Sequence, residues 1–251
     1  MTEEDRLYRD ADLTRYYDIE NGWADDTAYC REMARGCGSV LDLGCGTGLL
    51  AAGMAQDGAK VTGVDPAMPM LDIARHRPGG EWVNWVTADA RDVRLGEAYD
   101  LVVMTGHAFQ VFLTRQDRLA VLRTIAAHLA PEGRFIFDSR NPALEEWREW
   151  TPEESGRTVT LPEGDVYAWN DVSRDEASGI VTYETHYRRA DGVVDFAESR
   201  LAFASKEEIE ALIAEAGLAV ERWLGDWRGA EWQAGSKEII PIGRLAKLTK
   251  I

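Results

Sequence analysis

Glycine recurs at alternate positions in Asp42-Leu43-Gly44-Cys45-Gly46-Thr47-Gly48, behind the apolar stretch 40–43 and directly before a helical pattern over 49–56. Glycine reaches positive φ without a Cβ penalty and lets a ligand come close to the main chain. The N–H groups that open a helix carry a partial positive charge. Strand, glycine turn and helix start, in that order, predict a seat for a polar ligand bearing a carboxylate or phosphate. A second signal lies about twenty residues past the first glycine, the spacing at which an acid meets a ribose. There a short, partly β-branched strand over 59–65 ends on Asp65, whose carboxylate can accept from both ribose hydroxyls. Pro66 then suits the first turn of a helix over 67–77.

The glycine spacing narrows the ligand. A dinucleotide fingerprint puts glycine at the first, third and sixth positions of the turn, whereas here the sixth is Leu49 and the third glycine is already at Gly48. The run 42–48 resembles instead the first motif of class I S-adenosylmethionine-dependent methyltransferases, acidic-x-Gly-x-Gly-x-Gly. The resemblance covers about 35–142 and 205–245 and implies S-adenosyl-L-methionine as cofactor. By that resemblance Asp42, Gly44, Gly46, Gly48, Asp65, Pro66 and Met70 border it. The resemblance also implies that the end of the strand over 83–90 faces the adenine, where Asp89 can accept from the amino group and the N–H of Ala90 can donate to a ring nitrogen.

The chemistry is expected past the next strand. Leu101 to Met104 form the unbroken apolar run of a central parallel strand, and open α/β sheets place ligands at strand carboxyl ends. Thr105 and Gly106 there are expected against the cofactor and Phe109 against the substrate. His107 is the single histidine at such an end; it either takes a proton from the methyl acceptor near neutral pH or lines the cofactor pocket. Nucleic-acid amino-methyltransferases carry Asn or Asp, two prolines and an aromatic residue at this point, and this sequence does not. Asp138 and Arg140, past the strand over 135–138, are expected to orient a polar substrate.

These groups need a scaffold. Alternating helical and strand patterns predict an α/β fold, a doubly wound, mostly parallel, seven-stranded sheet. Two helices over 6–36 form an expected lid domain (1–36), with Leu7 and Tyr8 early in the first and Tyr16, Tyr17 and Trp23 closing over the cofactor. The core follows at 37–144, including a helix over 114–130 stopped by Pro131-Glu132-Gly133. Over 145–204, alternating aromatic and β-branched runs predict a four-stranded antiparallel insertion on the acceptor side, with a homodimer contact as the alternative. Its third strand puts Val181, Tyr183, Thr185 and Tyr187 on one face and Thr182, Glu184, His186 and Arg188 on the other; Glu184 and His186 are expected to meet the acceptor. The core resumes over 205–251 with a capping box at Ser205 and two late strands, 218–223 and 238–242.

Composition sets the outer bounds. A formal net charge of −16 argues against a nucleic acid as partner and favours a small-molecule acceptor. Three cysteines without metal-ligand spacing imply reduced thiols in a cytoplasmic protein with no metal. The acidic start lacks a secretory core and no run reaches membrane-spanning length, so no membrane is expected. The expected function is methyl transfer to a nitrogen or oxygen. A nicotinamide-dependent oxidoreductase, disfavoured by glycine spacing and the lack of a Tyr-x-x-x-Lys pair, and a non-catalytic cofactor-binding protein remain as alternatives.

Overall fold

Two strand patterns sort this chain into two sheets: apolar runs that must be covered on both faces, and alternating runs with one wet face. The computed structural model describes residues 11–161 and 164–247, so Leu7 and Tyr8 lie outside the described residues. The apolar runs become β1 (Ser39–Leu43), β2 (Lys60–Asp65), β3 (Val83–Thr87), β4 (Tyr99–Met104) and β5 (Leu129–Phe137). They pair in parallel, and β11 (Leu218–Leu224) and β12 (Glu238–Leu245) complete the order β11-β12-β5-β4-β1-β2-β3. Only β12 of these runs against both its neighbours, and a short β6 (Ser139–Arg140) extends the sheet by pairing with it.

Period-two alternation explains the two cores. Leu41, Leu43, Val102, Met104, Phe135 and Phe137 pack under α5 (Arg115–His128) and α7 (Lys206–Glu215). Their neighbours Val40, Leu101, Val103 and Ile136 pack on the opposite face with α3 (Leu49–Gln56) and Cys30 of α2 (Asp25–Met33). Both faces are thereby covered, as a mostly parallel sheet requires. The hydroxyl oxygen of Thr114 caps α5 by accepting from the Asp117 N–H at 3.1 Å. The expected stop at Pro131 lies later than the observed one: α5 ends at His128 and β5 starts at Leu129. Pro131 falls near the start of the strand, where proline is tolerated. At α2 the cap is Ala24, whose N–H donates to Thr27 Oγ1 at 2.8 Å, while Asp25 and Asp26 occupy the first turn.

The alternating runs form the second sheet, β7 (Arg157–Leu161), β8 (Gly164–Arg174), β9 (Val181–Arg188) and β10 (Val194–Leu201), in the order β10-β9-β8-β7 and antiparallel throughout. Its apolar face is closed by α1 (Ala11–Glu20). Tyr16 stacks on Tyr187 with ring centroids 4.1 Å apart and planes 7° from parallel. Glu20 accepts from the Tyr187 hydroxyl at 2.5 Å and pairs with Arg157. On its other side α1 reaches the core, where Asp18 accepts from the Thr47 hydroxyl and pairs with Arg77.

Candidate active site

The glycine turn is shaped by left-handed backbone, φ being 75° at Gly44, 52° at Gly46 and 76° at Gly48. Gly44 and Gly46 border a cavity of about 1100 Å³ at the carboxyl ends of β1, β2, β4 and β5. Gly48 serves packing instead. A Cβ there would collide with the Trp85 ring and approach the Ala74 Cβ to 2.8 Å, so it does not line the cavity. Gly48→Ala is expected to lower the melting temperature by about 2–8 °C from the left-handed backbone alone; an unchanged thermal midpoint would show that the turn relaxes freely.

Asp65 ends β2 and holds this turn. Its Oδ2 accepts from the Gly46 N–H at 2.9 Å and its Oδ1 from the Ala67 N–H at 2.8 Å, while burial pushes its pKa up against the pull of those two bonds. Asp42, on β1, is 2 % exposed, faces the same cavity and makes no side-chain hydrogen bond among the described residues. Burial, with Asp65 nearby, raises its pKa to about 7. A buried carboxylate with no partner is costly unless a ligand supplies one. Tyr17 lies over the turn, its ring 3.7 Å from where a Gly46 Cβ would sit. Burial first, and Asp65 next, push its hydroxyl pKa up, so it stays a donor.

At the far end of the cavity, β4, β5 and β12 bring three titratable groups together. His107 Nε2 lies 3.0 Å from Glu238 Oε2 and 3.5 Å from Asp138 Oδ2. His107 itself has φ of 59°, a strained value for a side-chain-bearing residue, and its backbone N–H donates to Asp138 Oδ1 at 3.0 Å. Burial alone would lower the imidazole pKa, but the Asp138 charge and the Glu238 hydrogen bond outweigh it and the net direction is up. Burial raises Asp138 to about 6.

The cavity wall contains Tyr17, Trp23, Asp42, Gly44, Gly46, Asp65, Pro66, Asp89, Ala90, Thr105, Gly106, His107, Asp138 and Arg140. Asp89 is already engaged by Arg91 at 2.6 Å. Five expected contacts lie elsewhere besides Gly48. Tyr16 points into the insertion, since adjacent helical residues diverge by 100° and Tyr17 takes the cavity side. Met70 and Phe109 are buried in packing; Ala108, Val111 and Phe112 line the cavity in place of Phe109. Glu184 and His186 are on the wrong face of β9: His186 stacks on Trp169, with centroids 4.9 Å apart. Tyr183, from the opposite face, and Arg200 of β10 line the cavity instead. Glu238 and Trp227 were also not expected. A signal for Glu238 exists: it starts an antiparallel strand beside β5, so it lies at the carboxyl end of the parallel strands.

The family model described as a methyltransferase domain matches residues 40–133. The chain is 31% identical over 205 residues to a cypemycin N-terminal methyltransferase of Streptomyces sp., covering 81% of this chain and 82% of that protein. It is 29% identical over 216 residues to the dTDP-3-amino-3,6-dideoxy-alpha-D-glucopyranose N,N-dimethyltransferase of Streptomyces fradiae, covering 79% and 76%. The fold superposes on the CcbJ methyltransferase of Streptomyces caelestis with a TM-score of 0.78 at 22% identity, over 98% of this chain and 100% of that one.

Proposed function

Because this chain belongs to the class I S-adenosylmethionine-dependent methyltransferases, small-molecule type, we propose that the group it methylates is an amine nitrogen, with His107 taking the proton. The observation that carries this reading is His107, held beside Asp138 and Glu238 on the cavity wall. Two carboxylates attract an ammonium ion, and an imidazole accepts the proton that must leave before nitrogen can attack. The names of the two relatives above, an N-terminal methyltransferase and an N,N-dimethyltransferase of an amino sugar, point the same way.

The residues fit the cofactor. Asp42 offers its positive charge a buried carboxylate with no hydrogen-bond partner among the described residues, Asp65 offers its ribose an acceptor, and the glycine turn allows a close approach. When bound, S-adenosylmethionine would supply a sulfonium methyl carbon for in-line attack by the amine nitrogen, the N–CH3 bond forming as the S–CH3 bonding pair returns to sulfur and the neutral thioether leaves. Glu238 at His107 Nε2 fixes that nitrogen as the N–H donor and leaves Nδ1 to accept the acceptor's proton. Tyr17 and Trp23 cover the cofactor half, and Tyr183 with Arg200 closes the acceptor half. Matched amines and alcohols assayed for methyl transfer test this reading: amines are expected to react and their alcohol counterparts not, and the reverse order would overturn it.

Asp42 gives cofactor binding a pH dependence. With its pKa near 7 in the free protein, a cationic ligand favours the ionised form, so binding expels a proton below that pH. Affinity is expected to fall by up to about tenfold for each pH unit below 7, and Asp42→Asn to flatten the profile. Calorimetric titration in buffers of different ionisation enthalpy reads both the affinity and the released proton.

A further inference from the structure

Among the described residues three arginines line the cavity, Arg91, Arg140 and Arg200, in a wall otherwise rich in carboxylates. Arg91 is consumed, pairing with Asp89 at 2.6 Å and Asp117 at 3.0 Å. Arg140 is held differently. Its Nη1 donates to Gln110 Oε1 at 3.1 Å, its Nε lies 3.5 Å from Glu146, and its guanidinium sits 5.1 Å over the Trp150 ring. These contacts fix the plane of the guanidinium and leave Nη2 without a hydrogen bond among the described residues. Gln110 also anchors the strand that carries Arg200, since its backbone carbonyl accepts from the Ala202 N–H at 2.9 Å, and Arg200, whose charge also reaches Asp175, lines the cavity from there.

Asp138 and Arg140 are two residues apart in extended chain, so their side chains share a side about 7 Å apart along the backbone, and both line the cavity while Ser139 between them is buried. Arg140 therefore stands one strand repeat from the His107 cluster. Its charge reaches far enough to act on His107. An acceptor amine at His107 places the atoms a few bonds away beside a preoriented guanidinium, and Tyr183, 5.3 Å from Trp150, lines the same cavity. Planar, preoriented arginine is the side chain best matched to carboxylate or phosphate oxygens.

We propose that the acceptor carries an anionic group, a carboxylate or a phosphate, on the same compact molecule as its amine, and that Arg140 and Arg200 hold that group while the amine faces His107. This rests on the amine reading above.

The test compares methylation within pairs that differ only in the anion: an amino acid against its amide, and a phosphorylated amino alcohol against the free amino alcohol. The anionic member is expected to have a kcat/KM higher by about tenfold or more, through KM, and whichever pair shows the larger ratio identifies the anion. Arg140→Gln and Arg200→Gln are each expected to collapse that ratio towards one. A ratio near one in the wild type, or one that survives in both variants, overturns the proposal. If no amine is methylated, the amine reading fails separately. Calorimetry of the protein saturated with S-adenosylhomocysteine then decides on the anion site, using inorganic phosphate and acetate: affinity weakened about tenfold by either substitution supports it, and identical isotherms remove it.

Discussion

His107→Ala is expected to lower kcat by about 10²–10⁴-fold, the range for a positioned general base, with cofactor affinity unchanged. The imidazole must be neutral to accept a proton, and its pKa is held above the ordinary value because Asp138 and Glu238 outweigh its burial. The rate should therefore rise with pH and reach its plateau above the pH at which free imidazole titrates, near 6.5. Asp138, with a pKa of about 6, is ionised across that rise and supplies the charge. Asp138→Asn removes it, so the midpoint of the pH–rate profile should move down while the base remains. Pre-steady-state methyl transfer by the two variants across pH 5–9 measures both effects. A His107→Ala enzyme with normal turnover at saturation but weakened cofactor binding would reassign His107 to the pocket wall.

Asp65→Ala is expected to weaken S-adenosylmethionine binding by about 1.5–3 kcal/mol, the value of a hydrogen bond to a charged group. In this chain the loss has two parts. The ribose loses its acceptor, and the N–H groups of Gly46 and Ala67 lose theirs, so the glycine turn becomes less preorganised. Asp65→Asn separates the parts: an amide oxygen can still serve one N–H group while its NH2 opposes the other. Affinity for the asparagine variant should fall between those of wild type and alanine. Titration calorimetry with circular dichroism as a control for folding reads this, and equal affinity in all three proteins would remove Asp65 from the ribose site.

The glycine turn, the acid ending β2 and the central apolar strand were legible because each is a local pattern, carried within ten residues by backbone requirements that few alternatives meet. The insertion was legible as four strands for the same reason. Its orientation was not: β9 carries aromatic residues on both faces, so alternation alone could not choose between Tyr183 and His186 for the cavity. Adjacent Tyr16 and Tyr17 posed the same problem on a helix, and only the docking of α1 against Tyr187 separates them. Glu238 is 131 residues from His107, and a contact of that span is set by the antiparallel entry of β12 beside β5, which no local pattern specifies.

The way α1 is moored bears on the order in which the protein can assemble. Its two anchors on the second sheet, Arg157 and Tyr187, follow Glu20 by 137 and 167 residues, so during synthesis this helix can meet Thr47 and Arg77 early but has no second sheet to dock on until most of the chain has left the ribosome. The carboxylate that meets His107 Nε2 arrives later still, on a strand that must slot between β5 and β11. Closing such distant contacts is slow relative to forming the local helices and turns. The glycine-rich half can take shape from its own neighbours, but the cluster of His107, Asp138 and Glu238 comes into being only after the two stretches flanking the insertion have found each other, so a nascent chain can carry a shaped glycine turn before that cluster exists.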